Sequence, residues 1–166
     1  MKLFFYLLLF LASASFAQDA TSCACCDVHH NQFDFWVGDW IVYDTAGNEI
    51  GRNTIVQLQD NCVLQESWRS PNSTGTSYNY FNSTDSTWNQ LWVDNTGSHL
   101  ELKGHAIENG MQLNSDWMKS PTGTEYRNQI LWILQADGSV TQTWNIEGKE
   151  GNIYSVLFHG VYRKSL

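Results

Sequence analysis

Glu66 and Arg127 are the two opposite charges that strand alternation sets among tryptophans, and they define the chemistry this chain can carry. In the run 62–68 one face reads Cys62, Leu64, Glu66, Trp68, and in 88–94 it reads Trp88, Gln90, Trp92, Asp94. The pattern returns as Arg127, Gln129, Leu131 and as Val140, Gln142, Trp144. Successive strand residues point to opposite faces, so each set shares one side of its strand. With these faces turned inward, Trp68, Trp92 and Trp144 cover the body of a small ligand, while Arg127, Gln90, Gln129 and Gln142 orient its polar end. Opposite charges in a poorly hydrated space are tolerable only when paired or ligand-bound. The same residues admit a second reading, a dry core in which Glu66 and Arg127 form a buried bridge.

Catalysis needs a base beside a nucleophile or a second acid. Glu66, Asp94, Asp116, His99, His105 and His159 are available, but no motif fixes two of them at reacting distance. The chain has no Gly-x-Ser-x-Gly, no His-Glu-x-x-His and no phosphate loop. The reading is therefore a non-catalytic carrier or sensor of a small hydrophobic or amphipathic molecule. Its alternatives are an isomerase or hydrolase using the same cavity, and an interaction module with a solid barrel. No cofactor is expected; the alternative is haem held by His159 or His105. His99, Glu101, Lys103 and His105 alternate with Leu100, Leu102 and Gly104, which makes them a solvated outer face.

Four cysteines, Cys23, Cys25, Cys26 and Cys62, suggest disulfides. Sequence leaves the pairing open; Cys26 with Cys62 is expected because Cys26 lies nearest the folded part, while Cys23 with Cys25 would need a strained small ring, which leaves free thiols there an equal alternative. The metal alternative joins Cys23, Cys25 and Cys26 to His29 and His30, but C-x-C-C-x-x-H-H is not the paired spacing of zinc modules, so no metal is expected. A formal net charge of -8 and a pI near 4.9 leave no basic stripe to neutralise phosphates, which excludes nucleic acid as a partner. Lys2, the apolar run 3–11 and Ser15-Phe16-Ala17 read as a signal peptide over 1–17, the run being too short to span a bilayer. The expectation is a secreted or periplasmic monomer with a Cys-rich arm over 18–32 and one domain over 33–166.

The elements that must position these side chains are strands. Runs at 40–43, 52–59, 62–68, 77–81, 88–94, 99–107, 111–118, 126–134, 140–146 and 154–163 are separated by Gly, Asn and Asp turn signals. About ten strands in consecutive hairpins close most economically into an all-β, up-and-down antiparallel barrel; a sandwich is the alternative. Phe33-Asp34-Phe35-Trp36-Val37-Gly38-Asp39-Trp40 packs four large aromatics into eight residues. With a short helical turn over 29–35 it would plug one end, and Gly38 would let Trp40 turn inward.

Gly38-x-Trp40 at the first strand, with Arg163 in Val161-Tyr162-Arg163 at the last, resembles the calycin superfamily of lipocalins and fatty-acid-binding proteins. The resemblance implies that Trp40 packs against Arg163 at the barrel floor by cation–π attraction. The stretch 33–40 also looks like a group of secreted bacterial lipocalin-like proteins of unknown function. The chain departs from true lipocalins in lacking a three-turn helix after the strands, and from fatty-acid-binding proteins in lacking a helix pair after strand one. Nitrobindin-like haem barrels are nearer in strand number.

Overall fold

A computed structural model of the chain describes residues 23–165; the signal peptide expected over 1–17 lies outside them. A 310 segment, His30–Trp36, precedes eleven strands. These are β1 (Gly38–Tyr43), β2 (Glu49–Leu58), β3 (Val63–Arg69), β4 (Thr74–Asn82), β5 (Thr87–Asp94) and β6 (His99–Ile107). They continue as β7 (Gly110–Asn114), β8 (Met118–Lys119), β9 (Glu125–Leu134), β10 (Val140–Gly148) and β11 (Ile153–Lys164). Each of β1 to β6 pairs antiparallel with the next, β7 pairs with β9, β9 with β10, and β10 with β11, which returns to β1. Ten strands thus form a closed antiparallel barrel, as the turn signals predict. β8 is a two-residue annex on the start of β9, because the expected run 111–118 leaves the ladder after Asn114.

One turn chemistry recurs five times. At 44–48, 94–98, 120–124, 135–139 and 148–152 the first N–H donates to the fifth carbonyl, and the fourth residue's N–H donates back to the first carbonyl. That fourth residue is Gly47, Gly97, Gly123, Gly138 or Gly151, with φ between +79° and +87°. This is the three-residue hairpin loop that needs a left-handed glycine, and it fixes strand register from local sequence alone.

The two ends of the barrel are filled differently. At the end where β1 begins, Phe33 and Trp36 are fully buried; Phe33 lies 5.1 Å from Trp36, 5.2 Å from Trp132 and 5.6 Å from Trp88, centroid to centroid. Trp40 donates its indole N–H to Trp36 O at 2.8 Å, which ties the first strand to the plug. The plug is a short 310 piece beginning at His30, so it reaches into the expected arm. Gly38, at φ +132°, makes the turn that delivers Trp40 inward, as expected.

The cation over Trp40 is Lys164, not Arg163. Lys164 Nζ sits 3.9 Å from the Trp40 ring centroid and donates to Val37 O. Register explains the correction: Trp40 pairs with Lys164 and Ile41 with Arg163, so Arg163 points outward, to within 3.7 Å of Asp137. We expect Lys164→Ala to cost about 0.5–2 kcal/mol and Arg163→Ala to stay within about 0.5 kcal/mol, measured by urea denaturation. Equal costs would sink the assignment.

The arm corrects the cysteine pairing as well. Cys23 is bonded to Cys26 and Cys25 to Cys62, in place of the expected Cys26–Cys62 bridge. A turn at Ala24 and Cys25 brings the flanking cysteines together, Cα to Cα 5.4 Å, and turns Cys25 toward Cys62 at 5.0 Å. Proximity in sequence is overridden by the turn. With all four sulfurs bonded, the thiolate set of the metal alternative is gone. His29 and His30 instead pack on Phe81, at 5.4 and 5.2 Å. Two backbone N–H groups and the His30 ring converge on the Asp27 carboxylate, and the bonds to His30 foremost hold its pKa at about 2.

Candidate functional site

At the end away from the plug the barrel is hollow. A cavity of about 260 Å³ is lined by Glu66 and Trp68 of β3, Gln90 and Trp92 of β5, Leu100 of β6, Ile130 of β9, Gln142 and Trp144 of β10, and Leu157, Phe158 and Tyr162 of β11, with Ser73 at the rim. Six of the eight residues expected to bind ligand therefore meet in one space: Glu66, Trp68, Gln90, Trp92, Gln142 and Trp144. Trp92 and Trp144 make a T-shaped pair at 6.2 Å, and Trp68 makes another with Phe158 at 6.0 Å. The dry core and the cavity both exist, one in each half of the barrel.

Arg127 and Gln129 are not in the cavity. On β9 the inward residues are Asn128, Ile130 and Trp132; Arg127 lies on the outer wall, its Nε 2.6 Å from Glu147 Oε2, its directly opposed partner on β10. Its guanidinium also covers Trp117 at 4.8 Å. Gln129 accepts from Asn145 Nδ2 at 3.0 Å on the same outer wall. The bridge between Glu66 and Arg127 does not form. The other three expected faces each carried a tryptophan, and in β9 the tryptophan is Trp132, on the opposite parity from Arg127. Applying the tryptophan criterion to β9 would have found Ile130.

Glu66 is thus buried, and among the described residues no cation stands against it. At Oε2 its acceptor role is fixed by direction. Asn79 Nδ2 donates to the backbone carbonyl of Leu64 at 3.2 Å and to Ser77 Oγ at 2.9 Å, so Asn79 Oδ1 must accept, and it does so from Gln90 Nε2 at 2.7 Å. Ser77 Oγ, accepting from Asn79, turns its own proton to Glu66 Oε2 at 2.7 Å. Asn53 Nδ2 donates to Oε1, also at 2.7 Å. All these donors are neutral, and burial of the carboxyl outweighs them, raising its pKa above the usual carboxylate value. Across the cavity, Tyr162 donates to Gln142 Oε1, and burial followed by the facing Glu66 charge pushes its phenol well up.

Neither a family model nor a curated protein matches this chain. The geometry alone therefore assigns the chemistry.

Leu157, Phe158 and Tyr162 were not expected at the site. Tyr162 was legible, since Phe158, Gly160 and Tyr162 share one parity of β11. Leu157 was not. The register jumps from Trp144 opposite Phe158 to Asn145 opposite Val156, so Leu157 is the extra residue of a bulge, and two consecutive side chains reach the same cavity. His99, Glu101, Lys103 and His105 are exposed on the outer face, as expected. His159, also outward, is hydrogen-bonded to Thr143 through Nδ1 at 2.9 Å, so neither histidine considered for haem lies on the cavity wall.

Proposed function

We propose that this barrel captures a small amphipathic molecule in its open half and carries or senses it in a secreted or periplasmic setting. One observation supports this above the others: a closed barrel is packed solid at the plugged end and left hollow at the other, where aromatic walls meet a polar base. Filling that half with side chains would have been more stable, since a void forfeits contacts on every wall. A cavity kept at that cost, with Glu66 and Tyr162 both perturbed by burial, has the character of a binding site. The volume, just under the roughly 300–1,000 Å³ typical of drug-sized ligands, sets a small guest.

The calycin likeness enters on the same footing, as a shared way of closing a barrel over one ligand. Two disulfides suit an oxidising compartment, and among the described residues no helix is long and apolar enough to cross a membrane. Native mass spectrometry of protein purified without denaturation is expected to show a co-purifying small molecule. Its release should change the fluorescence of Trp68, Trp92 and Trp144. Repeated absence of any adduct, together with fluorescence indifferent to every added ligand, would overturn the reading.

A further inference from the structure

The cavity lining is one-sided in charge. Five aromatic residues line it, Trp68, Trp92, Trp144, Phe158 and Tyr162, and its one carboxyl is Glu66; among the described residues no Lys, Arg or His contributes to the lining. We propose that the ligand is a small organic cation, a substituted ammonium held by this aromatic wall with its charge over Glu66. The inference rests on the binding-barrel reading above and narrows its ligand class.

Three features converge on this. Aromatic faces carry negative quadrupole density, and surrounding an ammonium with them is worth most where water is excluded. Next, the Leu64 carbonyl fixes Asn79 Nδ2 as a donor, Asn79 donates to Ser77 and Ser77 donates to Glu66, so Glu66 stands in the cavity wall as an acceptor with no counter-ion against it among the described residues. Gln90 spends its N–H groups on Asn79 and Ser77, which leaves Oε1 as the atom it can offer. Finally, a buried carboxyl without a cation is an unfavourable element for stability alone, and a cationic guest is the partner that completes it. The formal net charge of -8 steers cations toward the mouth and disfavours anionic guests such as fatty acids.

The test compares choline and tetramethylammonium with 3,3-dimethylbutan-1-ol, the uncharged isostere of choline, by calorimetry and tryptophan fluorescence on the full chain. We expect the quaternary cations to bind about tenfold or more tighter than the alcohol. Glu66→Gln should remove most of that preference, and Trp92→Leu should weaken the cations more than the alcohol. A quaternary cation cannot lose its charge, so its affinity in the wild-type protein should fall over the range from neutral to acid pH as Glu66, its pKa raised by burial, takes up a proton. Tyr162 is the other titratable group facing Glu66, and it stays protonated throughout this range.

A purely structural role for Glu66 predicts that Glu66→Gln melts at a lower temperature. Because the folded state raises its pKa, the protonated form favours folding; that stability is present below the unfolded value of 4.5 and is lost as pH rises through the folded value. Glu66→Gln should therefore melt at the same or a higher temperature near neutral pH while losing cation binding. Equal or tighter binding of the alcohol overturns the cation proposal and leaves the binding barrel standing. Cation preference retained in a folded Glu66→Gln, or a flat pH profile with Trp92→Leu selectivity unchanged, also overturns it. Failure of cations, alcohol and an uncharged hydrophobic dye alike removes both readings together.

Discussion

Trp36→Ala lowers stability by about 3–5 kcal/mol, the largest cost expected of any single truncation in this barrel. Trp36 has no exposed surface, stacks on Phe33 at 5.1 Å, meets Trp132 at 5.4 Å and Tyr162 at 6.5 Å, and lends its carbonyl to the Trp40 indole. Truncation opens a void among rings already held by the closed sheet, so little can collapse into it. For a chain of this length the loss corresponds to a fall in Tm of roughly 10–15 °C. The same truncation at Trp92, partly exposed on the cavity wall, should cost only about 1–2 kcal/mol and act on ligand binding. A fall at Trp36 no greater than at Trp92 would mean that the plug is not the centre of packing.

Breaking the Cys25–Cys62 bridge is the second large effect. It closes a loop between residues 37 apart and anchors the arm to the start of β3, and by loop entropy its loss costs about 3–4 kcal/mol. The Cys23–Cys26 bridge spans a separation of 3 and restricts far less of the unfolded chain, so its loss costs about 2 kcal/mol at most. The single variants separate the two connectivities. Cys25→Ser should lower the denaturation midpoint markedly and leave Cys62 reactive toward thiol reagents; Cys26→Ser should lower it less and expose Cys23. The reverse order, with Cys62 reactive only in Cys26→Ser, would restore the pairing expected from sequence proximity.

Much of the barrel was legible because its rules are local. Alternation at 88–94 and 140–146 gave the faces of β5 and β10 correctly, since no bulge interrupts either strand where Gln90, Trp92, Gln142 and Trp144 sit. The inward face of β9 is the one that carries its tryptophan, Trp132, and Arg127 and Gln129 lie on the other parity. The resemblance implies Arg163 at the barrel floor, whereas Tyr162 and Lys164 in the same strand hold the inward positions. Parity at β11 shows how narrow the margin is: one residue of register exchanges Arg163 for Lys164 over Trp40.

The sequence by itself determined the strands, the five glycine hairpins, the aromatic plug and the inward tryptophans of β3, β5 and β10. These follow from side-chain periodicity and from backbone angles that only certain residues tolerate. Only the tertiary structure decided which cysteine faces Cys62, which cation covers Trp40, and that Arg127 leaves Glu66 for Glu147. Those outcomes depend on which residues from distant strands meet across closed ladders and bulges, and a cross-strand neighbour is set by register around the whole barrel, not by spacing along the chain.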